Sequence, residues 1–209
     1  MIIAVDGPAA SGKGTIAKAL ARHYGLPFLD TGLLYRAVGV AVLRAGGEPS
    51  HVDDALAASA FDDGLLEDPF LRSAEAGDAA SKVSVHPPVR AALLKRQQDF
   101  ARQSGGAVLD GRDIGTVIAP EADAKLFVIA SAKVRAYRRL RELGRPVTDA
   151  DVASYQKEIE ARDERDMGRS DAPLRPADDA LLLDTSDLTI DEAVQQAIWL
   201  VETRISRQQ

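Results

Sequence analysis

Residues Val5–Thr15 read VDGPAASGKGT, and they follow directly on the apolar run Ile2-Ile3-Ala4. Glycine, alanine and serine add little to a core, but they let main chain approach something closely. Ile2–Asp6 reads as a buried strand. Lys13–Tyr24 has helical periodicity through Ile16, Ala17, Leu20 and Ala21, and Gly25 suits its end. The stretch is therefore Gly7-x4-Gly12-Lys13 set between a strand and a helix, the context a phosphate-binding loop requires. Backbone N–H groups turned inward, a helix N-terminus and the Lys13 ammonium together hold an anion, and bulky side chains would obstruct it. Gly7, Pro8, Ala9, Ala10, Ser11, Gly12, Lys13, Gly14 and Thr15 are thus the expected contacts of a nucleoside triphosphate. Where this loop usually carries Ser or Thr, Gly14 stands, and Thr15 follows. The loop leaves the reaction open, because GTPases, motors, kinases and sensors share it.

Outward from the loop, strands alternate with helices. Further strands are expected at Phe28–Asp30, Ala107–Leu109, Lys125–Ala130 and Ala180–Asp184. Helices are expected at Leu33–Ala45, from Pro87 to about Gln103, and at Lys133–Leu143, Asp149–Gly168 and Ile190–Ser206. Between residues 48 and 89 the sequence gives helix-like stretches, Val52–Ser59 and Ala74–Val85, around an ambiguous Phe61–Leu71. The pattern predicts a three-layer α/β/α fold with a central parallel sheet, and ligands at the carboxyl ends of its strands. Asp6-Gly7, Asp30-Thr31, Asp110-Gly111 and Ala130-Ser131 lie at that edge.

The 209 residues suffice for one sizeable core. No apolar run reaches 18 residues, and the start lacks a basic leader, so the expectation is a cytoplasmic protein with no membrane partner. Absence of cysteine removes disulfides, thiolate zinc sites and thiol catalysis. The net charge of −6 argues against a protein that coats nucleic acid. Yet nine arginines lie between Arg135 and Arg175, a concentration that suits an anion site or a solvated helix face with ion pairs.

Four stretches resemble one family. The loop ending GKGT is similar to the nucleoside monophosphate kinases. LDTGLLYRAVG at Leu29–Gly39, LDGRDIGTVIAPEADAKLFVIAS at Leu109–Ser131 and RDERDMGRSDAPLRPADDALLLDTS at Arg162–Ser186 resemble successive segments of the bacterial cytidylate kinases. The resemblance implies a single P-loop kinase domain over 1–209, with a small NMP-binding insert at 48–90 and a helical lid at 144–172. It implies ATP-dependent phosphorylation of CMP and dCMP by in-line transfer, with Mg²⁺ as cofactor, in a monomer. It further implies that Thr31, Arg36, Arg112, Arg162, Asp166 and Arg169 hold the acceptor, and that Ser81, Arg90 and Asp113 read its base. Between Val52 and Pro88 the chain departs from the family, being shorter than the three-stranded insert common there.

The residues support this independently. Joining two anionic phosphates needs positioning and charge neutralisation, and a phosphate oxygen with second pKa about 6 needs no general base. His23, His51 and His86 accordingly show no catalytic arrangement. Arginine forks grip phosphate bidentately. At 100° per residue Arg162, Arg165, Asp166 and Arg169 share a helix face, with Asp163 and Glu164 pointing elsewhere. That geometry alone puts Arg165 nearer the transferred group. Lys13, Arg112, Arg162 and Arg165 are the catalytic candidates, and Arg138 or Arg139 is expected at the ATP phosphates. Asp110 closes a strand facing the loop and is the expected metal residue with Thr15, directly or through water. An aspartate accepting from cytosine N4 suits Asp113 and opposes uracil. The rival readings are a related kinase acting on UMP, AMP, shikimate or dephospho-coenzyme A, and a regulator that binds nucleotide without transfer.

Overall fold

The structure, a computed structural model, describes residues 1–207. Five strands form one parallel sheet in the order β2-β3-β1-β4-β5: β1 Ile2–Asp6, β2 Phe28–Asp30, β3 Ala107–Gly111, β4 Ala124–Ile129 and β5 Leu181–Asp184. The crossover from β1 runs to one side of the sheet and the crossover from β3 to the other, so a crevice opens at the carboxyl ends between β1 and β3. The central strands are buried on both faces, which is why they read as continuous apolar runs. Ile3, Val5, Val108, Leu126 and Val128 face α1 (Lys13–Tyr24) and α8 (Ile190–Ser206). Ala4 and Leu109 face the other way, against Ala101, Ile114 and Ile118.

Register puts Asp30 opposite Asp110 and Asp6 opposite Gly111, so three strand-end carboxylates meet at the crevice. There α2 (Thr31–Arg44) starts directly off β2. Residues 48–90 contain no strand. They fold as α3 (Val52–Ala57), three short 3-10 turns and α4 (Ala74–Val83), and lead into α5 (Pro87–Ala101). Asp62, Asp68 and Ser73 cap successive pieces with their side chains, so each turn is local and too short to show a period. Beyond β4, α6 (Ala132–Glu142) and α7 (Asp149–Met167) form a hairpin on Ala136, Leu140, Val152, Tyr155 and Ile159. A Thr148–Asp151 capping box starts α7.

Candidate active site

Between β1 and α1 the loop turns through Gly7, Ala10 and Gly12, all at positive φ. A Cβ on Gly7 would lie 2.1 Å from the Val128 carbonyl, so only glycine passes there. Gly14 has its own reason: a Cβ would sit 2.9 Å from an Asp110 carboxylate oxygen. The glycine in place of the usual hydroxyl residue therefore admits Asp110 to the loop. Lys13 Nζ lies 3.6 Å from that carboxylate and donates to the Pro8 carbonyl at 3.4 Å. Burial lowers the Lys13 pKa and pushes Asp110 up to about 6, with Lys13 and Arg112 opposing the rise.

One cleft of about 420 Å³ runs from this loop to α7. Ala9, Ala10, Gly12, Lys13, Gly14 and Thr15 line one end, whereas Gly7, Pro8 and Ser11 shape the loop from behind. Thr31, Arg36, Ser81, Arg90, Asp110, Arg112, Asp113, Arg162, Arg165, Asp166 and Arg169 all reach the same cleft. Segments more than a hundred residues apart thus converge on one cleft.

Arg162 is the outstanding charge. It makes no hydrogen bond or ion pair among the described residues, and its Nε is enclosed without a partner. Burial lowers its pKa to about 9, and nearby Arg112, Arg36 and Arg139 add to the effect against Asp166. Gly77 keeps this space open, since a Cβ would come within 3.3–3.5 Å of Arg36 and Arg162. Arg36 donates to the Leu71 carbonyl at 2.7 Å, and burial, then Arg139, lowers its pKa. Cations crowded like this, one of them unpaired, are arranged for an anion.

Asp166, 1% exposed, binds both Arg112, at 2.9 Å, and Arg169. Burial would raise it, but Arg112, Arg169 and Arg162 outweigh burial and hold its carboxyl low. Thr31 donates to the Asp110 carbonyl at 2.7 Å, which leaves its oxygen as an acceptor toward the cleft. Arg90 pairs with buried Asp113 and lies over Tyr35 at 5.7 Å. Arg90 also pairs with Asp171 at 3.3 Å.

Arg165 departs from its expected place. It shares the face with Arg162, but there α7 meets α4, and Asp78 at 3.1 Å and Ser81 at 3.3 Å hold it at the rim. Arg139 reaches the cleft and donates to the Arg72 and Ser73 carbonyls, each at 3.3 Å. Arg138 lines a second, more apolar cavity of about 810 Å³ with Tyr137, Val152 and Leu188, and bonds Thr185. Ala10, Gly12 and Thr15 border both cavities, so the loop sits between them.

Comparison with known proteins gives the family. The family model described as cytidylate kinase matches residues 3–203. The chain belongs to the cytidylate kinase family. A cytidylate kinase of Caulobacter sp. (strain K31) is 56% identical over 213 residues, covering 99% of this chain and 96% of the relative. One of Xanthobacter autotrophicus (strain ATCC BAA-1158 / Py2) is 56% identical over 204 residues, covering 98% of each. A solved structure of an uncharacterised protein from Eubacterium ventriosum ATCC 27560 superposes with a TM-score of 0.53 at 16% identity, over 97% of this chain and 99% of that one, a likeness of fold alone.

Three parts of this cytidylate kinase site were not legible in the sequence. Arg135 bonds the Ala130 carbonyl at 2.9 Å and the Ala9 carbonyl at 3.4 Å, and pairs with Asp163 at 2.7 Å. It ties the loop to α7 through Asp163, a residue its helix angle had turned away from the site. Tyr35 follows Leu34 in an apolar helix and reads as core. Asp6 reads as the last strand residue, but its side chain crosses to the β3 turn.

Proposed function

We propose that the chain transfers the γ-phosphoryl group of ATP to CMP, and to dCMP, giving the diphosphate. The observation that carries this reading is the single cleft joining the phosphate loop to the unpaired Arg162. A sensor of ATP alone has no use for a second set of half-buried cations.

In this reading Lys13 and the loop amides hold the donor phosphates, with the adenosine in the apolar cavity beside Arg138 and Tyr137. Arg36, Arg112 and Arg162 hold the acceptor phosphate, Asp166 and Arg169 its ribose side, and Ser81, Arg90 and Asp113 its base. The acceptor oxygen is already mostly ionised at neutral pH, so the chain supplies alignment and charge rather than a base. Arg165 serves from the rim of the cleft, and Arg139 is the arginine of α6 that faces the phosphates. Residues 48–90 act as the NMP-binding insert and 144–172 as the helical lid.

The donor set suits Mg²⁺. No group of three acidic, histidine or cysteine side chains that could cage a metal occurs among the described residues. The Asp110 carboxylate beside the exposed Thr15 fits an ion that keeps waters and phosphate oxygens as its other ligands. Thr15 and Asp110 would hold it, and bound Mg²⁺ neutralises charge on the donor phosphates. The enzyme works as a cytoplasmic monomer, without nucleic acid or a membrane. Its net charge of −6 supports the nucleic-acid part of that statement.

A coupled assay with ATP and CMP, dCMP, UMP or AMP tests the proposal. Diphosphate should form fastest from CMP and dCMP. Turnover of UMP or AMP with none of CMP would transfer the chain to another acceptor, and ATP binding without any diphosphate would make it a regulator.

A further inference from the structure

The turn after β3 carries Arg112 and Asp113, and its local bonding is unusual. Residues Ile114–Ile118 form one π-type turn, closed by Ile118 N–H to the Asp113 carbonyl at 3.2 Å and Ala119 N–H to the Ile114 carbonyl at 2.8 Å. Such turns interrupt regular geometry and concentrate at functional sites. Asp113 stands immediately before this turn, where an aspartate ordinarily bonds the amide two or three residues ahead. It makes no such bond. Its carboxylate pairs with Arg90 instead.

The first amides of the turn are buried and must find acceptors. They find them 108 and 109 residues away. Asp6 Oδ1 accepts from Ile114 N–H and Asp6 Oδ2 from Gly115 N–H, both at 2.8 Å. Asp6 is 5% exposed, at the end of β1 and opposite Gly111 in register. Gly115 leaves room for it: a Cβ would lie 3.4 Å from Asp6 Oδ2 and 3.1 Å from Lys125 Cδ. The Gly115 amide is the one Asp113 would take for itself if nothing else did.

We propose that Asp6 is a positioning residue for base selection: by occupying the Ile114 and Gly115 amides it keeps the Asp113 carboxylate turned to Arg90 and the cytosine. The inference rests on the reading of Asp113 as the residue that meets the base. Asp6 is costly where it stands. Burial pushes its pKa up to about 7, its two amide bonds oppose the rise, and Asp113 and Asp110 add to it. A role confined to stability would not need a buried carboxylate beside two others.

The test uses Asp6→Ala, Asp6→Asn and Asp113→Asn in the full chain, with kcat/KM measured for CMP and UMP and KM for ATP. In Asp6→Ala the preference for CMP over UMP should fall about tenfold or more, through a higher KM for CMP, while KM for ATP stays within about twofold. The double variant Asp6→Ala/Asp113→Asn should lose little more preference than Asp113→Asn, because both act through one carboxylate. A merely structural Asp6 would lower turnover of CMP and UMP by a common factor. An unchanged preference, or full additivity in the double variant, overturns the proposal. Asp6→Asn keeps the volume and one acceptor, so it carries the test if Asp6→Ala does not fold. Its preference should fall about threefold, and no fall would overturn the role. Failure of the unaltered protein to phosphorylate CMP would instead sink the functional reading.

Discussion

Arg162 shows how one side chain can be worth more to activity than it costs the fold. Its guanidinium is held among Arg36, Arg112 and Arg139, with Asp166 opposing them. An enclosed cation without a partner destabilises the protein that carries it. Arg162→Met keeps a long apolar stem and removes the charge. Stability should rise by about 1–2 kcal/mol, which is several degrees in Tm for a chain of this length. Calorimetry checks the rise. In a kinetic assay kcat/KM for CMP should fall about 10²–10³-fold, the scale of losing one preorganised charge at a reacting oxygen. A drop in both quantities would mean that Arg162 is a structural ion-pair member after all. The shared face of Arg162, Asp166 and Arg169 was legible from helical spacing. That Arg165 on the same face turns to Asp78 was not, because angle locates a side chain around its own helix and says nothing of what packs there.

Elements obey the same division. The bounds of β1, α1, β2 and α8 follow from apolar runs, helical periodicity and flanking turn residues, β1 being largely buried and α1 and α8 long enough for the period to repeat. β3 runs two residues past its apolar core to include Asp110 and Gly111, since pairing with β1 and β2 outlasts the hydrophobic run. Residues 58–72 break into three 3-10 turns, the second and third held by Asp62 and Asp68 caps, and nothing in a short turn repeats often enough to be read. The turn at Ile114–Ile118 was equally hidden, because its acceptor lies on another strand. Packing between α2 and α4 turns on Gly39: a Cβ there would sit 2.7 Å from Ala79 Cβ and 2.9 Å from the Ala79 backbone. Gly39→Val should push α4 away and cost about 1–3 kcal/mol by overpacking, readable in a urea titration. Since α4 carries Ser81, KM for CMP should rise several-fold while KM for ATP stays put. Equal changes in both would show that α4 does not serve the acceptor separately.

At the scale of the whole molecule, the parallel sheet gathers strand-end carboxylates at one edge, and this sets how stability responds to pH. Burial raises Asp6 to about 7 and Asp110 to about 6, and it also raises Asp113 against the pull of Arg90. A carboxyl raised above its ordinary 3.8 binds its proton more tightly in the folded chain than in the unfolded one. Its contribution is therefore full below about 3.8 and is lost as pH climbs through the folded value. Asp166, Asp179, Asp184 and Glu192 are lowered and act oppositely: their contribution is present above their ordinary values and is lost on further acidification. The two sets titrate in different windows. Below about pH 4 the lowered group decides and acid destabilises. Between about pH 5 and 7 the raised group decides, so Tm in the absence of nucleotide should fall as pH rises. Asp6→Asn removes the carboxyl raised to about 7, above Asp110 at about 6, and should flatten that slope toward pH 7 while leaving the acid limb intact. Differential scanning calorimetry across pH 4–8 on both proteins measures this. A wild-type Tm that climbs from pH 5 to 7 would mean that these carboxylates are solvated at the sheet edge. The crevice would then lack the low polarity on which the proposed grip on two anions depends.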